Sequence, residues 1–284
     1  MKSVFLKNPH YIAIRQEDTI SYGGSQQWFS SAKRLGTDTR LARFGCGNTA
    51  VSDACLYLAQ SRRLSSPETD LAGSFSPPKN TYQAYARLMN RRYTFTLPLC
   101  GCTGPSLSLS LNHFFLRRKF PFYSRYMWIN TPQRMLYAIL TSLSLDIPVI
   151  LAIGPNFPNF RGSQGVPFYL PPAQMPKTAA GSPSVSKSVS PQTLDLQHDF
   201  NEHAHLTASC HRQVHAHFVT ITGIFYSIPL ATPMLVISSW GQQYLLSYAD
   251  LRQYIRRHGL LFTSSLVLIH PRRCLQMPHK DTQL

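Results

Sequence analysis

The hydrophobic pattern changes period near residue 147, and no other feature of the chain constrains its fold as strongly. Before that point apolar residues recur at helical spacing. Val51, Ala54, Cys55 and Leu58 form a stripe on a helix over 46–60. Further helices are expected over 81–92, after a turn at Gly104-Pro105 as far as Arg118, and over 131–145. Beyond the switch, Ile147-Pro148-Val149-Ile150-Leu151-Ala152-Ile153 is a short run rich in branched residues that stops at Gly154-Pro155, the pattern of a buried strand. Strands follow over 214–224, 234–238, 244–247 and 261–269, with one helix over 249–257. Helices first and strands second predict an α+β fold.

One short strand is expected earlier, at Tyr11-Ile12-Ala13-Ile14, followed by a turn at Gly23-Gly24. Residues 61–80 read as a polar linker. Residues 171–195, rich in Pro, Ser and Gly, read as a disordered surface insertion. The expected organisation is one domain, helical over about 20–146 and sheet-rich over about 147–270.

The chain of 284 residues is long enough to bury a sizeable core, and a hydrophobic fraction of 43% fits a folded protein. Lys and Arg number 28 against 12 for Asp and Glu, a net charge of +16. Such a field draws anions, whether nucleic acid, anionic lipid or an acidic protein. The basic residues are scattered as pairs such as Arg62-Arg63 and Arg256-Arg257, without a basic helix or aromatic-interleaved motif, which disfavours nucleic acid. No run of about 18 apolar residues occurs, so no membrane span is expected. Six cysteines in a chain this long do not suggest a disulfide scaffold, and reduced thiols in the cytoplasm are the expectation. There is no phosphate-binding loop, dinucleotide fingerprint or Gly-x-Ser-x-Gly elbow, so nucleotide and serine-elbow chemistry are disfavoured.

Cys46 lies in Phe44-Gly45-Cys46-Gly47-Asn48-Thr49-Ala50, at the start of the first long helix. A helix N-terminus favours thiolate, the nucleophilic form of the side chain. Flanking glycines let other backbone approach the sulfur and leave N–H groups free to hold an oxyanion. His217 opens His217-Phe218-Val219-Thr220-Ile221-Thr222-Gly223, where His217, Val219, Ile221 and Gly223 share a strand face. A histidine held at a strand end can serve as general base and then general acid for a thiol. Ser238-Ser239-Trp240-Gly241 follows, in which Ser238 could accept a hydrogen bond from the ring and Trp240 could shield it.

Taken together, these segments resemble the papain-like cysteine peptidase superfamily and, within it, the C39-like peptidases. The resembling residues are Gly45-Cys46-Gly47 with its helix, His217-Phe218-Val219, and Ser238-Ser239-Trp240-Gly241, which is close to the Asn-Ser-Trp-Gly turn of papain-type enzymes. The resemblance spans roughly residues 20–270. It implies a papain-like α+β fold, Cys46 as nucleophile, His217 as base, and Ser238 where the family has Asn. The family also places an oxyanion-hole Gln shortly before the cysteine. Residues 40–45 contain none, and the nearest candidates are Gln26 and Gln27, with Gln26 slightly favoured. The implied activity is cleavage or transfer at a peptide or isopeptide bond, with a peptide or protein substrate and no metal or organic cofactor.

Two other readings follow from the residues. One is a non-catalytic binding protein on the same scaffold, holding an acidic peptide or protein on its basic surface. The other is a metal-binding module built on His198, His203, His205, Cys210, His211, His215 and His217. Because that cluster follows the expected insertion and lacks Cys-x-x-Cys geometry, solvated loop histidines are the expectation there. Cys55 reads as core, Cys100 and Cys102 as structural or incidental, and Asp53 as a solvated or locally paired charge.

Overall fold

The first long helix is built mostly from small residues, and that is why the fold can surround it. In the computed structural model, which describes residues 3–30, 36–72, 76–98, 101–128, 131–155, 165–171, 212–227, 232–258 and 263–272, this helix runs Cys46–Arg62 and is buried on every side from Gly47 to Ala59. The amphipathic stripe expected from its sequence is replaced by burial all round. The Gly, Asn, Thr, Ala, Ser and Asp of its first two turns let neighbouring elements approach closely.

In chain order the strands are β1 (Val4–Phe5), β2 (Ala13–Gln16), β3 (Thr19–Tyr22), β4 (Phe122–Trp128), β5 (Val149–Ile153), β6 (Val166–Phe168), β7 (Arg212–Val214), β8 (His217–Ser227), β9 (Thr232–Ser239), β10 (Gln242–Ser247) and β11 (Ser265–Pro271). The helices are α1 (Thr37–Phe44), α2 (Cys46–Arg62), α3 (Pro67–Ala72), α4 (Lys79–Met89), α5 (Gly104–Arg118), α6 (Pro132–Ser144) and α7 (Tyr248–His258), with a 3-10 turn at Gln26–Trp28 and a π-helical turn at Asn90–Thr94. The α+β expectation holds.

The main sheet is antiparallel, in the order β10-β9-β8-β5-β11-β4, with β1 also pairing β8. Strand β8 is central and buried from Val219 to Phe225, and α2 packs against it. A bulge lies between Ile221 and Gly223, so the alternation expected to carry Gly223 onto the face of His217 is interrupted. One cluster of buried apolar side chains joins α2, α4, α5 and α6 to β5, β8, β9 and β11.

Three elements depart from the sequence expectation. The stretch read as a polar linker contains α3, whose start is a recognisable signal: Ser66 Oγ accepts from Thr69 N–H at 3.2 Å and Pro67 takes the first helical position. Its Glu68 is buried and pairs with Arg92 at 2.7 Å and with Arg118. Gly104-Pro105 is the first turn of α5, capped by Thr103 and Ser106, and does not precede the helix. Strand β4, from the helical half, completes the sheet beside β11; its register partners are more than a hundred residues away, so no local pattern announces it. The expected insertion at 171–195 lies outside the described residues, apart from Pro171. Among the described residues no helix is long and apolar enough to cross a membrane.

Candidate active site

Helices α1 and α2 abut at a single residue, Gly45, which ends one and starts the other. A Cβ on Gly45 would lie 2.3 Å from the Leu41 carbonyl oxygen, so the junction requires glycine. The next residue, Cys46, is thereby presented at the N-terminus of α2 and keeps part of its surface open to solvent. The backbone N–H groups of Phe218, Gly47 and Cys46 itself lie near its sulfur. These donors favour thiolate, but burial of the sulfur outweighs them and moves its pKa above the usual thiol value. The thiolate expected from the helix N-terminus is therefore not the resting form: desolvation is the larger effect.

His217 is buried at the first position of β8, with its ring stacked on Trp240 at 4.3 Å between centroids and 14° between planes. Its Nε2 is 2.8 Å from Ser239 Oγ. The expected partner, Ser238, instead donates to the Tyr22 carbonyl at 2.8 Å. The reason is the pleat. Thr220 and Ser238 are cross-strand partners on one face, whereas Ser239 shares the other face with His217 and Val219. The hydrogen bond to the ring expected of Ser238 is thus made by its neighbour Ser239. Burial and the charge of Arg212, whose guanidinium lies 4.6 Å from the Trp240 ring centroid, lower the His217 pKa to about 3, so the imidazole is neutral at physiological pH. Trp240 and Gly241 both have positive φ, at 49° and 76°, and form the two-residue turn joining β9 to β10. A tryptophan rarely adopts that conformation, and its ring is the one stacked on His217.

Gln26 and Gln27 sit in the 3-10 turn, capped by Ser25. Gln26 borders the cavity beside Cys46, and its Oε1 is buried without a hydrogen-bond partner. Gln27 is exposed and does not border that cavity. The same cavity, about 20 Å³, is bordered by Gly24, Thr49, Ala50, Asp53, His217 and Trp240, among others. A space of this size takes about one water molecule. No direct hydrogen bond joins Cys46 Sγ to the His217 ring among the described residues; the two meet across the cavity.

Sequence reasoning missed Thr49 and the surroundings of Asp53. Cys46, Thr49, Ala50 and Asp53 are spaced i, i+3, i+4 and i+7, one stripe of α2, and all four border the cavity. That spacing was legible in the chain. Thr49 Oγ1 is buried without a partner. Asp53 was expected to be solvated or locally paired as a charge; it is buried and bonded only to neutral donors, Gly24 N–H at 2.9 Å and Tyr82 O–H at 2.5 Å. Burial raises its pKa to about 7, against the opposing pull of those two hydrogen bonds.

Cys55 is fully buried in the core, as expected. Cys102 is partly buried beside Thr94 and Thr96. Cys100, Cys210, His198, His203, His205 and His211 lie outside the described residues. Among the described residues no group of three or more His, Cys, Asp or Glu side chains could hold a metal ion. A scan of the chain against protein-family models finds no match, and a search of curated proteins returns none.

Proposed function

We propose that this protein is a thiol-dependent hydrolase or acyltransferase of papain-like, C39-like type, acting at a peptide or isopeptide bond through Cys46 and His217. The observation that carries the reading is convergence. Cys46, His217 and Gln26 come from three separated segments and border one small cavity, with the histidine held by Ser239 and stacked on Trp240. With Nε2 engaged, Nδ1 is the ring nitrogen left to serve the thiol. Because both groups rest neutral, the reaction would be general-base catalysis, in which the proton leaves sulfur as the bond to carbon forms. His217 then returns that proton to the departing amine, and the acyl group passes from sulfur to water or to a second amine. In this reading the Cys46 N–H and the Gln26 amide group hold the oxyanion. Loss of one such donor costs roughly 2.7–4 kcal/mol of transition-state stabilisation.

The test uses p-nitrophenyl acetate, with mass spectrometry to locate the acetyl group. Cys46 is expected to acylate at least about tenfold faster than Cys102, and Cys46→Ala to abolish that reaction while the fold is kept. His217→Ala should slow acylation by roughly 10²–10⁴-fold. Acylation of Cys46 no faster than that of Cys102 would overturn the assignment.

A second reading, the non-catalytic binding protein for an acidic peptide or protein, is favoured by the resting state of the pair. Both groups are kept uncharged by burial, no direct hydrogen bond joins them, and the chain carries a net charge of +16. In that case Cys46 behaves as an inert thiol, while acidic peptides bind in a salt-sensitive manner.

A further inference from the structure

Asp53 ties the helix of the cysteine to the loop of the glutamine. It stands two turns along α2 from Cys46, and its carboxylate accepts the Gly24 N–H, two residues before Gln26. The other carboxylate oxygen accepts from Tyr82, whose ring meets Trp28, at the far end of the same loop, edge-on at 5.7 Å. One main-chain and one side-chain hydrogen bond hold the loop's flanks: Gly23 N–H donates to the Ile12 carbonyl at 2.7 Å, and Gln83 Nε2 donates to the Trp28 carbonyl at 2.6 Å. The approach is close enough to require glycines. A Cβ on Gly23, where φ is +81°, would lie 2.4 Å from Ser238 Oγ and 2.7 Å from Asp53 Oδ2, and one on Gly24 would lie 2.0 Å from Tyr82 Oη. A buried carboxyl without a cationic partner is costly unless something offsets the cost.

We infer that Asp53 is a positioning residue: by holding Gly24 it sets Gln26 at the place where the oxyanion develops. The inference rests on the acyl-transfer reading above and adds a specific residue to it. Asp53 touches no substrate in this scheme and acts through Gln26.

The test compares two reactions of Cys46 in the full chain. Acetylation by p-nitrophenyl acetate forms a sulfur–acyl bond, breaks the ester C–O bond and releases p-nitrophenolate, with the thiol proton leaving through His217; it passes through an oxyanion. Alkylation by iodoacetamide forms a sulfur–carbon bond and releases iodide, with no oxyanion. Their rate ratio therefore reports the oxyanion site, while a general loss of structure moves both rates. Gln26→Ala and Asp53→Leu are each expected to lower the ratio by roughly 10–100-fold, at most the full effect of a lost donor. Asp53→Asn, which can still accept from Gly24 while donating to Tyr82 Oη, should restore most of it. The double variant Gln26→Ala/Asp53→Leu should lose no more than Gln26→Ala alone. If Asp53→Leu fails to fold, Asp53→Ser, too short to reach Gly24, takes its place with the same expectation. A wild-type ratio in the Asp53 variant beside a reduced one in Gln26→Ala overturns the positioning role alone, as do losses that multiply in the double variant. A wild-type Cys46 that does not acylate overturns the acyl-transfer reading and this inference together.

Discussion

Ser238 and Ser239 are adjacent and chemically identical, yet they occupy different environments. One holds the Tyr22 carbonyl; the other holds the ring of His217. The period of two along a strand decides between them, and a shift of one residue exchanges the roles. Ser239→Ala is expected to free Nε2 and lower Cys46 acylation by about fivefold, the size of one net hydrogen bond of about 1 kcal/mol. Ser238→Ala should cost about 1 kcal/mol of stability and slow acylation less. Denaturant melts and acylation rates on both variants check this. Equal rates for the two would remove Ser239 from the site.

At the scale of elements, the feature that presents Cys46 is the α1–α2 junction. Gly45 has φ of −84°, which any residue can adopt, so its identity is set by space and not by backbone torsion. The obstacle is the Leu41 carbonyl, which is backbone and cannot rotate aside. Gly47 differs: its Cβ would lie 3.1 Å from Cys102 Cβ and 3.2 Å from a Leu107 methyl, contacts that a shift of a few tenths of an ångström relieves. Gly45→Ala is accordingly expected to destabilise the protein by roughly 1–3 kcal/mol, the range for overpacking, and Gly47→Ala by less. Thermal unfolding distinguishes them, and a Gly47→Ala that is the more damaging would mean that packing on α5, and not the helix junction, dominates.

For the whole molecule, two buried titrating groups pull stability in opposite directions with pH. Between about 4 and 7 the folded state keeps a proton on Asp53 that the unfolded chain has released, because the folded pKa is raised from 3.8 to about 7. That contribution is present in acid and is lost as pH rises to about 7. His217 does the reverse. Its folded pKa is lowered from 6.5 to about 3, so the unfolded chain takes up a proton first and stability falls as pH drops from about 6.5 towards 3. In the shared window the two slopes largely cancel. Asp53→Asn removes one of them. Relative to the wild type, it should gain stability as pH rises from 4 to 7, by a few kcal/mol at most. Melting curves at pH 4, 5.5 and 7 measure the difference, and parallel curves for the two proteins would show that Asp53 titrates as an ordinary carboxylate.

The chain alone specified the α+β class, the place of Cys46 at a helix start, the burial of His217 on a strand and the Trp-Gly turn beyond it. Local period and turn chemistry specify such features without reference to distant residues. It also carried signals for α3 in Ser66-Pro67 and for the Cys46–Asp53 stripe. Tertiary structure alone decided the rest. Which serine meets the histidine depends on strand register. Which glutamine enters the cavity depends on a loop held from α2 and α4. The charge states of Cys46, Asp53 and His217 depend on how much water the fold removes from them, and desolvation is set by the surroundings a side chain is given and not by its neighbours in the chain.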